Sequence, residues 1–197
     1  MISVQFKRLL FTLIFIIIFS FPIMAKDRIA IVGNSQAYYL SKLLKIDDDK
    51  NFIERTNNAV GGSFIWSKDP EIKDFPKRAK KYDYAIVYFG TNELLQGYDL
   101  WKYIAGLCDF SNKVHKENKN LKLIYIEIPK CKLKGYEKLI KEWNTYLQGF
   151  CRVDSFRNYC YFQHLPKNYD LKDELHVDDT SQLRLWEEVK SKFNIKE

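Results

Sequence analysis

An apolar strand that runs without a break into glycine, a polar residue and serine, and then into a helix, admits few folds. This chain carries one at Ile29–Leu40, IAIVGNSQAYYL. A continuous apolar run such as Ile29 to Val32 suits a parallel strand covered on both faces. Gly33 permits the sharp reversal that would point a following serine out of the sheet's carboxyl edge. Ser35 would then stand at a helix start, beside unpaired backbone N–H groups and the positive end of the helix dipole, where an oxyanion is favoured. The same serine would serve equally well as a helix N-cap.

The rest of the chain alternates in the same way. A helix is expected over Ser35–Lys45, a short strand over Phe52–Thr56, a loop over Asn57–Trp66, and a loop with a short helix over Lys68–Lys81, which contains Pro70 and Pro76. Tyr82–Phe89 reads as a strand ended by Gly90, Asp99–Lys116 as a helix, and Leu121–Ile128 as a strand stopped by Pro129. A helix follows over Tyr136–Phe150, then a short strand near Arg152–Phe156 or Tyr159–Phe162. Val177–Phe193 is helical by the spacing of Leu183, Leu185, Trp186 and Val189. Alternating strands and helices with right-handed crossovers predict an α/β fold, a three-layer α/β/α sandwich with a parallel sheet. At 197 residues with 46% hydrophobic content, one globular domain is expected.

That domain is expected to begin at residue 26. Lys7 and Arg8 precede the apolar run Leu9–Phe21, and Ala25 is a plausible cleavage position, so residues 1–25 read as a secretory signal peptide; an uncleaved N-terminal anchor is the alternative, because Ile23 is large for the third position before the cut. The mature domain, 26–197, would be exported to the periplasm or beyond, with no membrane span once the signal is removed. Residues 1–25 carry two basic and no acidic residues, so their loss lowers the net charge from +7 to +5. The basic residues are scattered among acids, which gives a solvated face suited to an anionic envelope polymer rather than to nucleic acid. Four cysteines in an exported chain suggest two disulfides, Cys151–Cys160 and Cys108–Cys131, the pairs closest in sequence. Neither the cysteines nor His115, His164 and His176 have paired ligand spacing, so zinc is not expected.

In a parallel sheet the loops after the strands meet at one edge. Three stretches join the serine there: Val60-Gly61-Gly62-Ser63, Gly90-Thr91-Asn92-Glu93 and Asp173-Glu174-Leu175-His176. His176 can take the serine proton, and Asp173, three residues earlier, can hold the imidazole in the required tautomer. Backbone N–H groups of Ser35 and of a glycine, with the Asn92 amide, can receive an oxyanion. Each stretch also has a plain structural use, as turn or helix cap.

Together these residues resemble the SGNH hydrolases, also called GDSL esterases and lipases. Gly33-Asn34-Ser35 resembles the first block, Gly62 the glycine of the second, Gly90-Thr91-Asn92-Glu93 the third, and Asp173-Glu174-Leu175-His176 the fifth. The resemblance spans Ile29 to about Val189 and implies a flavodoxin-like sheet. It further implies catalytic Ser35, Asp173 and His176, with an oxyanion hole at Ser35, Gly62 and Asn92. Gly61 is the alternative to Gly62. Asn34 and Glu93 stand where the family has aspartate, which implies altered loop packing with the chemistry kept. The implied activity is a serine esterase, with no metal or organic cofactor, removing short acyl groups, O-acetyl above all, from a cell-envelope carbohydrate. The rivals are an O-acyltransferase on such glycans, a lysophospholipase or thioesterase, and an idle carbohydrate- or lipid-binding module.

Overall fold

The computed structural model describes residues 26–45 and 55–196; the expected signal peptide lies outside them. Five parallel strands form one sheet: β1 (Ile29–Gly33), β2 (Arg55–Ala59), β3 (Tyr84–Tyr88), β4 (Lys122–Ile126) and β5 (Cys160–Gln163), in the order β2-β1-β3-β4-β5. The helices are α1 (Ser35–Leu43), α2 (Pro70–Lys73), α3 (Phe75–Arg78), α4 (Thr91–Leu95), α5 (Leu100–Glu117), α6 (Glu137–Phe150) and α7 (Asp179–Phe193).

The pleat divides the strand residues between two cores. Ala30, Val32, Ala85, Val87, Leu123 and Tyr125 pack with Tyr103, Leu107, Phe110 and Val114 of α5 and with Ile140, Trp143 and Leu147 of α6. Ile29, Ile31, Tyr84, Ile86, Tyr88, Ile124 and Ile126 pack with Leu40 of α1 and with Leu185, Trp186 and Val189 of α7. Alternate residues therefore face opposite helix layers, which gives the three-layer sandwich. Each fully buried aliphatic side chain contributes about 1.5–3 kcal/mol, so the continuous apolar runs fix β1, β3 and β4 at the centre.

The first break from expectation is β2. Of the strand expected over Phe52–Thr56, Arg55 and Thr56 lie in β2 and the rest falls outside the described residues, while Asn57–Ala59, expected as loop, belong to β2. Residues 46–54 lie outside the described set. β2 is an edge strand paired to β1 through backbone groups, with Ala59 opposite Gly33 and the Val60 N–H donating to the Gly33 carbonyl at 2.9 Å. The cysteines are the second break. All four are free thiols, so neither expected disulfide is formed. Cys131 lies in the loop after β4 with its Sγ 3.9 Å from the Leu133 carbonyl, while Cys160 lies 3.7 Å from Ser111 Oγ of α5. Sequence proximity does not set where a thiol points.

Candidate active site

The sheet order reverses beside β1, and the crevice this leaves between the ends of β1 and β3 is where ligands bind in such sheets. Gly33 ends β1 at φ +147°, and a β-carbon there would lie 2.1 Å from the Tyr88 carbonyl oxygen, so only glycine fits. The chain then turns at Asn34, whose N–H donates to the Tyr88 carbonyl and whose side chain accepts the Gln36 N–H, both at 3.0 Å. Asn34 is the N-cap of α1. Ser35 is thereby freed from capping and opens the helix half-buried at the sheet edge.

Ser35 Oγ lies 3.0 Å from His176 Nε2, and His176 Nδ1 lies 2.7 Å from Asp173 Oδ2. With Nδ1–H donating to the carboxylate, Nε2 carries the lone pair that faces the serine hydroxyl. The other Asp173 oxygen accepts the N–H groups of Leu175 and His176, each at 2.7 Å. Burial tends to push the Asp173 carboxyl up, but those two N–H groups and the imidazole outweigh it and bring it down to about 2. It is therefore an ionised acceptor at neutral pH.

Gln36 was not foreseen. It is 1% exposed, and its side chain reaches from α1 to the segment bearing His176. Its Nε2 donates to the Leu175 carbonyl at 2.8 Å, and its Oε1 accepts from Val177 N–H and from Gln182 Nε2, each at 3.3 Å. Gln182 in turn accepts from Tyr88 Oη at 3.1 Å. His176 is thus bracketed on both sides by a side chain adjacent to Ser35. A bridge between Leu171 and Val177, and the Tyr39 ring set edge-on 4.8 Å from the imidazole, complete its setting.

The glycine loop after β2 and the Asn92 turn after β3 meet through Ser63. Val60–Ser63 form a turn closed at 3.2 Å, with Gly62 at φ +77° in the position where a type II turn requires glycine. Asn92 Nδ2 donates one N–H to the Ser63 carbonyl at 2.9 Å, which leaves the second N–H of the amide for another acceptor. Glu93 is fully buried; Oε1 accepts the Ile65 N–H at 2.9 Å and Oε2 the Gly90 N–H at 2.8 Å. Burial pushes its carboxyl up, against backbone N–H groups that favour the ionised form. Glu93 thus straps the loop after β2 to the turn after β3.

No family model and no curated protein matches the chain. Solved structures do. A GDSL-like lipase from Bacteroides thetaiotaomicron superposes with a TM-score of 0.63 at 13% identity, over 87% of this chain and 89% of that one. Esterase EstA from Pseudoalteromonas sp., inhibited by monoethylphosphonate, gives 0.58 at 17% identity over 86% and 100%. A family two carbohydrate esterase from Clostridium thermocellum in complex with cellohexaose gives 0.61 at 14% identity over 85% and 65%. The fold is that of the SGNH hydrolases.

Within the SGNH fold, the first and third blocks expected from sequence follow β1 and β3, the second-block glycine follows β2, and the fifth block precedes α7. The two departures acquire physical meaning here. Asn34 caps α1 through its amide oxygen, which needs no negative charge, and Glu93 uses both oxygens on backbone donors of two loops. The thiols stand apart: burial raises Cys108 and Cys151 and carries Cys160 to about 12, so none of these three is a ready nucleophile. Among the described residues, no group of three or more His, Cys, Asp or Glu side chains could hold a metal ion.

Proposed function

We propose that the chain is an exported serine esterase that removes short acyl groups, O-acetyl above all, from a cell-envelope carbohydrate through an acyl-serine intermediate. The observation that carries this reading is the unbroken line from Ser35 Oγ through His176 to Asp173, at 3.0 and 2.7 Å. Ser35 gives its proton to His176 Nε2 as Oγ attacks the ester carbonyl, and Asp173 stabilises the imidazolium that forms. The backbone N–H groups of Ser35 and Gly62 and the free N–H of Asn92 receive the oxyanion. His176 then passes the proton to the departing sugar hydroxyl, and water, activated by the same imidazole, releases the acyl group. Carbohydrate esterases among the similar folds support the substrate class. The Lys7-Arg8 start and apolar run Leu9–Phe21 support export.

A fluorophosphonate probe tests the chemistry directly, because it bonds only to an activated serine. One adduct is expected, on Ser35, absent from Ser35→Ala and nearly absent from His176→Ala. Asp173→Ala should retain more labelling than either, since the base survives. A wild-type protein that takes no label would overturn the reading.

A further inference from the structure

The sheet edge is divided in two. The ends of β2, β1 and β3 carry Gly62, Ser35 and Asn92, whereas those of β4 and β5 open into a cleft of about 460 Å³ against α6. Its volume lies within the range of small-ligand sites, roughly 300–1,000 Å³. Nothing in the proposed chemistry uses it.

The lining is specific in kind. Phe162 and Tyr169 supply apolar surface, both half-buried. Glu127 Oε2 accepts the Leu165 N–H at 3.0 Å and meets His164 Nδ1 at 3.3 Å, and His164 Nε2 lies 3.5 Å from Gln148 Nε2. Carboxylate, imidazole and amide therefore stand in a row: both imidazole nitrogens are engaged by their neighbours, while the second Glu127 oxygen and the rest of the Gln148 amide keep capacity for a ligand. The charges balance, Glu127 and Glu137 against Lys130 and Lys141.

An acyl chain placed here would strip water from Glu127, His164 and Gln148 and return no hydrogen bonds. A strongly charged ligand would meet both signs. A neutral sugar ring satisfies the whole set, with hydroxyls on its rim for the polar row and C–H faces for the aromatic wall. Neighbouring strands lie about 4.7–4.9 Å apart, so the ends of β4 and β5 stand on the order of 10–15 Å from that of β1. That is a few sugar units of an extended chain. We propose that this cleft is a non-catalytic subsite for a neutral sugar unit of a polymeric substrate whose acylated unit lies at Ser35. The rim between them is formed where Lys130 N–H meets Tyr169 Oη and Lys132 N–H meets the Glu174 carbonyl. The proposal rests on the carbohydrate-esterase reading for its substrate class.

The test is an NMR titration of isotope-labelled Ser35→Ala protein with cellotetraose, chitotetraose, xylotetraose and maltotetraose, with sodium decanoate as the apolar control. At least one tetrasaccharide should shift the Gln148 and His164 signals saturably, and Gln148→Ala, which removes a hydrogen bond to the sugar, or His164→Ala, which removes the ring that positions Gln148 and Glu127, should weaken that binding roughly tenfold. Both residues are partly or fully exposed, and matched melting curves will show that the variants fold. The proposal is overturned if no tetrasaccharide moves these signals, if decanoate alone does, or if binding is indifferent to both variants. Wild-type turnover of p-nitrophenyl acetate is followed in parallel. Turnover without sugar binding removes the cleft and leaves the esterase; sugar binding without turnover does the reverse.

Discussion

Gln36 is a helix residue whose side chain serves a different segment. Its amide brackets His176 by holding the Leu175 carbonyl and the Val177 N–H, so the imidazole is fixed relative to the helix that carries Ser35. Gln36→Leu keeps helix propensity and volume but removes all these bonds. The expected result is a kcat lower by roughly tenfold to a hundredfold with KM little changed, as for a misplaced catalytic group. A drop in KM-dependent rate alone, or no change, would show that Asp173 suffices to hold His176. Asn92→Ala addresses the oxyanion: kcat should fall by roughly a hundredfold to a thousandfold, with a smaller effect on KM. A change confined to KM would mean that Asn92 only holds substrate. Ser35, Asp173 and His176 were legible because each sits in a short motif whose spacing carries its geometry. Gln36 was not, because its partners lie 139 and more positions away and nothing local marks it.

At the scale of elements, legibility followed burial. β1, β3 and β4 are covered on both faces and read as apolar runs, and the long helices α5, α6 and α7 were expected, α7 from the spacing of Leu183, Leu185, Trp186 and Val189; the caps Asp99 and Asp178 come from the structure. β2 is legible only in its partner, since RTNNA owes its place to backbone pairing with β1. The short helix α4 escaped notice because it is little more than one turn, begun after Gly90 and fastened by Glu93. That fastening can be tested. Glu93→Gln keeps the shape but turns one acceptor into a donor that faces a backbone N–H, either of Ile65 or of Gly90. A buried donor left without a partner costs about 1–3 kcal/mol. Denaturant melts should show that loss, together with reduced kcat, because the loop bearing Gly62 and the turn bearing Asn92 would be tied less firmly, by the one acceptor bond left to the substituted side chain and by the Asn92–Ser63 bond. A melt identical to wild type would show that the strap carries no load.

For the whole molecule, what matters is what the edge offers an acyl chain. The longest stretch between strand and helix at that edge, residues 164–178, carries His176 and is rich in charge. Of its aliphatic residues, Leu165 and Val177 are buried in the core beneath α7 and Leu171 packs against it, which leaves half-buried Leu175 beside His176. The loop after β2 is spent on the turn at Gly62 and on the Phe64, Trp66 and Tyr98 ring cluster, whose members pack on one another and under Lys102. No apolar lid is supplied by either. This decides the expected order of substrates. Each buried methylene would add about 0.8 kcal/mol, close to fourfold in specificity, so an enzyme with an acyl groove should improve steeply from acetate to decanoate. Here p-nitrophenyl acetate, butyrate and decanoate should be turned over in falling order of kcat/KM, and acetate should be released from O-acetylated wall material. Acetate release that appears only when a glycan acceptor is withheld would point to transfer as the natural reaction. If decanoate or a lysophospholipid outpaces acetate, and no acetate leaves the glycan, the carbohydrate substrate is wrong while the serine mechanism stands, because the triad geometry is indifferent to the length of the chain it cuts.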